Sequence, residues 1–255
     1  MFTSRTQRVA AAAAVVVVIL AAAGWWFFIR DDAPEEASID DAQAAAEAER
    51  SGDDVDAEGS DGDGNGDEAA GTTIDGTWTI DARVGSFDDF SSAYVGYRVQ
   101  EELATIGANE AVGRTPDVTG TVTIDGNEVT DGSFEADMTT LRSDQSLRDN
   151  QLRGRGLETD AFPTASFVLT EPVELPDDAT SGDQITFTAT GDLTLHGVTN
   201  AVTLDFDATF TDGIIAIVGQ APIALSDYDI EPPEGFSVVS VADEGTFEFQ
   251  LFLSR

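Results

Sequence analysis

From Gly76 to the C-terminus, apolar and polar residues alternate over short runs, a period of two that belongs to strands and not to helices. Trp78 and Ile80 alternate, then Val95, Tyr97 and Val99, then Val122 and Ile124 ahead of an Asp125-Gly126-Asn127 hairpin turn. Phe134, Ala136 and Met138 stand opposite Glu135 and Asp137. Phe167 and Leu169 come next, then Ile185, Phe187 and Ala189 between threonines. Phe206, Ala208 and Phe210 lead into an Asp212-Gly213 turn, Ile215 and Ile217 lie on the return, and Phe247, Phe249, Leu251 and Leu253 close the chain. Eight or nine strands with one apolar face each specify an antiparallel sandwich or an up-and-down barrel. The last strand is long and strongly alternating. Left bare it would invite aggregation, so pairing with the first strand, and hence a barrel, is expected.

One stretch breaks the alternation. Ser143 to Leu152 has helical spacing between Leu147 and Leu152, with Ser143 placed to cap it, and Leu157 to Phe162 reads as a second helical turn stopped before Pro163. Two short helices between strands would plug or lid one barrel mouth.

The N-terminal part is of another kind. Residues 1–8 carry Arg5 and Arg8, and Val9 to Ile29 is an unbroken apolar run of 21 residues ending in Trp25-Trp26-Phe27-Phe28. As a helix it would span roughly 31 Å, enough for a bilayer's hydrocarbon core. The flanking charges, arginines before and Asp31, Asp32, Glu35 and Glu36 after, orient such a signal anchor with the remaining chain on the extracytoplasmic side of a single-pass membrane protein. A signal peptide cleaved after Ala21-Ala22-Ala23 is the alternative, and it exports the same domain. Residues 30–75 form an acidic linker: 17 acidic residues and one arginine lie between Asp31 and Asp75. Ala42 to Glu49 has helical character, but no amphipathic face is evident to hold it against a core, so a disordered tether before the domain at 76–255 is expected.

Composition excludes several chemistries. The chain has 49 acidic residues against 12 basic ones, a net charge of −37, which repels nucleic-acid backbones and leaves no nucleic-acid partner in view. It has no cysteine, so disulfides and thiolate chemistry are absent. Its single histidine, His196, lies in Gly191-Asp-Leu-Thr-Leu-His-Gly-Val-Thr199. A metal site there would need several carboxylates at ligand spacing, and none stands out; no Gly-x-Ser-x-Gly nucleophile elbow occurs either. His196 therefore reads as a hairpin residue bonded to backbone, and no catalytic residue, metal or cofactor is expected.

Several segments in order resemble the YceI-like family of lipid- or polyisoprenoid-binding domains. They are Trp78-Thr79-Ile80-Asp81, then Ala93-x-Val95-x-Tyr97-x-Val99, then Thr139 to Ser143 with Arg148-Asp149, Leu157, Phe162-Pro163 and Phe167, and finally Gly191 to Thr199. Tyr97 stands where the family often has phenylalanine, and Glu101 to Gly113 does not follow the family pattern. The resemblance implies an all-β, eight-stranded, lipocalin-like antiparallel barrel with an apolar channel for a long-chain amphiphile, a polyisoprenoid or other lipid.

On that basis the expected channel lining is Val95, Tyr97, Phe134, Met138 and Phe167 together with Phe187, Leu193, Leu195 and Phe206, with Phe162 near the lid. Periodicity alone fits an ordinary packed core equally, and a filled barrel acting as an envelope interaction module is the alternative function. Arg148-Asp149 would pin the helical insertion as an ion pair. Within the local arginine group, Arg148, Arg153 and Arg155 are the candidates to meet a ligand head group.

Overall fold

The computed structural model describes residues 33–56, 73–104, 107–211, 213–232 and 238–255. The apolar run Val9–Ile29, expected to cross a membrane, lies outside them; among the described residues no helix is long and apolar enough to do so.

Twelve strands fill eight positions around a closed antiparallel barrel. β1 (Gly76–Ile80) and β2 (Tyr94–Leu103) lie end to end along β12 (Val238–Ser254). Beside them, also end to end, run β3 (Gly107–Thr115) and β4 (Val118–Asp125), divided at Pro116, which has no N–H to give a ladder. β5 (Glu128–Asp137) and β6 (Arg142–Ser143) share the third position, and β7 (Thr164–Leu169) and β8 (Val173–Glu174) the fourth. β9 (Ile185–Leu195), β10 (Val198–Thr211) and β11 (Ile214–Ala224) complete the circuit back to β12. The seam is closed where β1 pairs with the end of β12, Thr79 opposite Ser254 and Ile80 opposite Leu253, so the long last strand has its expected partner.

The expected hairpins sit at two-residue turns. Gly126 (φ +62°) and Asn127 join β4 to β5; His196 (φ +51°) and Gly197 (φ +75°) join β9 to β10. Positive φ at both residues of the second turn gives the mirror-image geometry that matches strand twist, and only Gly, Asn, Asp and, less often, His enter it readily.

The insertion forms one helix and a turn, not two helices. α2 spans Ser146–Gly154, with Leu152 buried and Leu147 exposed. Its N-cap residue is Gln145, not Ser143; Ser143 instead donates its hydroxyl to Asp149 Oδ1 at 2.6 Å. Leu157 to Phe162 makes a single turn in which the amides of Ala161 and Phe162 both bond the Glu158 carbonyl. With Gly154 ending α2 and Gly156 at φ +72°, the chain cannot carry a helix through this stretch.

A second correction concerns the acidic linker. Over α1 (Ile39–Asp56) the expected coil is a helix, and its side chains are described as far as Ser51. Ile39, Ala42 and Ala46 lie on one stripe and are buried against the outer wall on Ala216, Val218 and Phe252. Two of the three are alanines, so the apolar stripe is too small to read from hydropathy, yet it lets the helix approach the sheet closely.

Ahead of α1, the Pro34 and Glu35 carbonyls accept from Arg98, and the Glu35 carbonyl also from Arg114. Those arginines clasp Glu248 from two sides, at 2.7 and 2.8 Å, on a wall facing away from the lumen.

Candidate functional site

Inside the barrel the inward residues of most strands form one apolar cluster, which includes Trp78 at one end of the sequence and Leu253 at the other. It does not fill the lumen. Two cavities of about 100 and 120 Å³ lie toward opposite ends. The first is bounded by Phe134, Phe167, Phe187 and Phe206 with Ile74, Ile124, Ile185 and Leu251, and no charged residue lines it. The second is bounded by Val95, Tyr97, Val99, Leu195 and Phe247, by Met138, by α2 and by Gly156-Leu157 of the following turn.

Between them stands an aromatic waist. Phe134 lies 5.4 Å from Phe167, 5.4 Å from Phe249 and 6.4 Å from Phe247, centroid to centroid, and Phe206 continues the stack at 5.3 Å from Phe249. Phe134 lines the first cavity and Phe247 the second, so moving these rings would join the two.

Three inward glycines explain why the lumen is hollow despite so many large rings. A Cβ on Gly113 would stand 2.5 Å from the Tyr97 ring, one on Gly191 2.3 Å from Phe167, and one on Gly219 2.2 Å from Phe249. Each ring therefore sits directly against a glycine of the neighbouring strand, in space that any larger residue there would take. Burial pushes the Tyr97 phenol above its ordinary value, so it presents a neutral hydroxyl at the cavity wall.

Eight of the ten residues expected to line a channel border one of the two cavities: Val95, Tyr97, Met138 and Leu195 the second, Phe134, Phe167, Phe187 and Phe206 the first. Leu193 is wholly buried in the wall cluster and reaches neither cavity. Phe162 lies on the outside of the β9–β10 turn, its ring 4.2 Å from that of His196 and against Gly197. The His196 Nδ1 donates to the Tyr228 carbonyl at 3.1 Å, because a carbonyl only accepts, and Nε2 faces Glu158 Oε2 at 2.9 Å. The histidine thus ties the turn after α2 to the hairpin and to the 3₁₀ turn at Leu225–Tyr228. Its carbonyl bond follows the sequence reading; Glu158 was not foreseen, for nothing in its sequence neighbourhood points across to the hairpin.

Of the head-group candidates, Arg153 and Arg155 are exposed, and only Arg148 lines a cavity. Arg148 does not pair with Asp149, which is engaged by Ser143. It bonds Glu101 at 2.6 Å and also Asp144, with its own side chain 11% exposed. Burial works to lower the Arg148 pKa; attraction from Glu101 and Asp144 more than offsets it, and the group stays charged. Glu101 was missed as a site residue because acidic residues are so numerous that one more carries no signal.

A curated relative, a UPF0312 protein of Shewanella denitrificans, is 35% identical over 109 residues, which cover 42% of this chain and 53%, about half, of that protein. Among solved structures, BcnA of Burkholderia cenocepacia matches 62% of this chain and 95% of its own at 19% identity and a TM-score of 0.48. A polyisoprenoid binding domain from Saccharophagus degradans, implicated in plant cell wall breakdown, matches 64% and 93% at 13% identity and a TM-score of 0.49. The sequence profile of the YceI-like domain matches residues 70–253, nearly the whole of the barrel, and the chain belongs to the YceI-like domain family.

Proposed function

We propose that the barrel binds, without catalysing any reaction on it, a long-chain amphiphile such as a polyisoprenoid or another lipid, and carries it outside the cytoplasm. The observation that carries this reading is the incompletely filled apolar lumen, with rings seated against Gly113, Gly191 and Gly219 in place of larger side chains. A barrel serving only as a scaffold gains from filling its interior, because each buried methylene adds about 0.8 kcal/mol. Eight strands enclose room for one slender ligand. Family membership and the description of the Saccharophagus domain as polyisoprenoid binding point the same way.

His196 supports the non-catalytic part of the reading, since both its ring nitrogens are engaged in holding the turn after α2. The run Val9–Ile29 would hold the protein at the membrane, on the charge asymmetry around it.

Native mass spectrometry of the purified chain tests the proposal. A co-purifying or added prenyl or acyl lipid should shift the mass by one ligand. A clean mass that no such lipid shifts would leave the filled-barrel interaction module as the better account.

A further inference from the structure

The inward positions of β2 run Val95, Tyr97, Val99, Glu101 and Leu103, so a carboxylate interrupts the hydrocarbon wall at one end of the second cavity. Glu101 is buried, its side chain 5% exposed, and its Oε1 accepts from Asn109 Nδ2 at 2.8 Å and from Arg148 Nη2 at 2.6 Å. Arg148 spends its other terminal nitrogen on Asp144. Among the described residues one guanidinium therefore faces two carboxylates, with Asp149 a third near Tyr97, and this end of the lumen carries surplus negative charge. The nearest buried arginines on β2 and β3, Arg98 and Arg114, are matched by Glu110 and Glu248 on the outer wall and have no charge to lend. Arg98 also borders the cavity, but its guanidinium is taken by Glu110 and Glu248, so what the cavity offers here is uncharged: the Tyr97 hydroxyl, Gln145, Gln151 and Thr246.

An anionic head group brought here would be desolvated beside net negative charge, which costs free energy twice. A neutral one meets donors and acceptors without that cost. The first cavity has no charged lining residue at all, so it suits the tail.

We propose that the polar end of the second cavity selects long-chain ligands with an uncharged head group, an alcohol, an amide or a ring carbonyl, and rejects anionic ones. This rests on the reading of the barrel as a lipid carrier. It reverses the role expected of Arg148: the arginine neutralises Glu101 and holds α2 to β2, and does not receive an anion.

The test uses the full chain in nanodiscs of zwitterionic phospholipid and two photoreactive probes of equal chain length. One is a diazirine-bearing fatty alcohol; the other is the matching alkyl sulfonate, which is charged at any working pH. Labelled peptides are mapped by mass spectrometry. The alcohol should label the strands that wall the cavities, and the sulfonate should label them at least about tenfold less. Equal or stronger sulfonate labelling overturns the head-group selection and leaves lipid binding standing. Absence of wall labelling by either probe instead sinks the carrier reading beneath it. Asp144→Asn should raise sulfonate labelling about threefold or more, with alcohol labelling unchanged as the sign of an intact barrel, and Glu101→Gln should raise the ratio of sulfonate to alcohol labelling by a similar factor. If the buried Glu101→Gln loses both labels by misfolding, Asp144→Asn, at a third-exposed position, decides: no gain in sulfonate labelling there contradicts the proposal.

Discussion

At Gly113 the three nearest atoms to an added Cβ all belong to the Tyr97 ring, so a methyl group there displaces the ring and nothing else. Tyr97 borders the second cavity, the open space beside the ring. Gly113→Ala should therefore cost about 1–3 kcal/mol in chemical denaturation and weaken binding of a long-chain alcohol in the same protein. Unchanged affinity would mean the lumen is not where ligand sits. A different kind of residue governs the seam. Asp81 donates its amide to the Phe252 carbonyl at 2.7 Å and accepts from Ser254 and Arg83, and the Arg83 bonds above all pull its carboxyl down to about 2. A carboxyl held below its unfolded value of 3.8 adds stability that is complete above that pH and is lost as pH falls through about 2. Asp81→Asn should then lower stability by about 1 kcal/mol at neutral pH, after allowance for solvent screening, and by little once the pH lies well below about 2. A loss of the same size at both pH values would show that the seam is held by shape and not by that charge.

Among the elements, β11 shows what the sequence offered and how it is easily overlooked. Ile214, Ile215, Ala216, Ile217 and Val218 are all buried, an unbroken apolar run and not an alternation, and such a strand must be covered on both faces. Ile215 and Ile217 face the lumen cluster, whereas Ile214, Ala216 and Val218 face α1. The strand therefore announced an outer layer. Its partner was hidden because Ala42 and Ala46 give almost no hydropathic signal inside an acidic segment. Thr209 and Thr211 pair with Ala216 and Ile214 on that same wall, and among the described residues their buried hydroxyls meet no hydrogen-bond partner. Ala42→Glu, placing a charge at a fully buried position, should release the helix and speed tryptic cleavage at Arg50 by about tenfold or more while the barrel stays folded. Cleavage at the unaltered rate would mean that α1 does not depend on this stripe. The eight strands, the hairpins and most of the lining were legible because period two marks which residues face inward. Phe162 and Leu193 were not. A turn outside the regular pattern carried Phe162 away, and tight wall packing leaves Leu193 no free surface.

Taken as one molecule, the protein is a barrel whose two cavities, about 100 and 120 Å³, are each smaller than the roughly 300 Å³ that small-molecule sites usually need. Entry of a long chain requires them to be joined, with Phe134 and Phe247, nearly parallel at an interplanar angle of 3°, turning out of the axis. That demand separates a carrier from a packed scaffold, in which the same rings would be fixed. A crystal structure of the protein with a bound long-chain prenyl alcohol tests it most directly. The account predicts continuous ligand density through both cavities, with the hydroxyl near Tyr97 and the Phe134 and Phe247 rings displaced. An unchanged waist with an empty lumen, or a ligand found only on the outer wall, would contradict it.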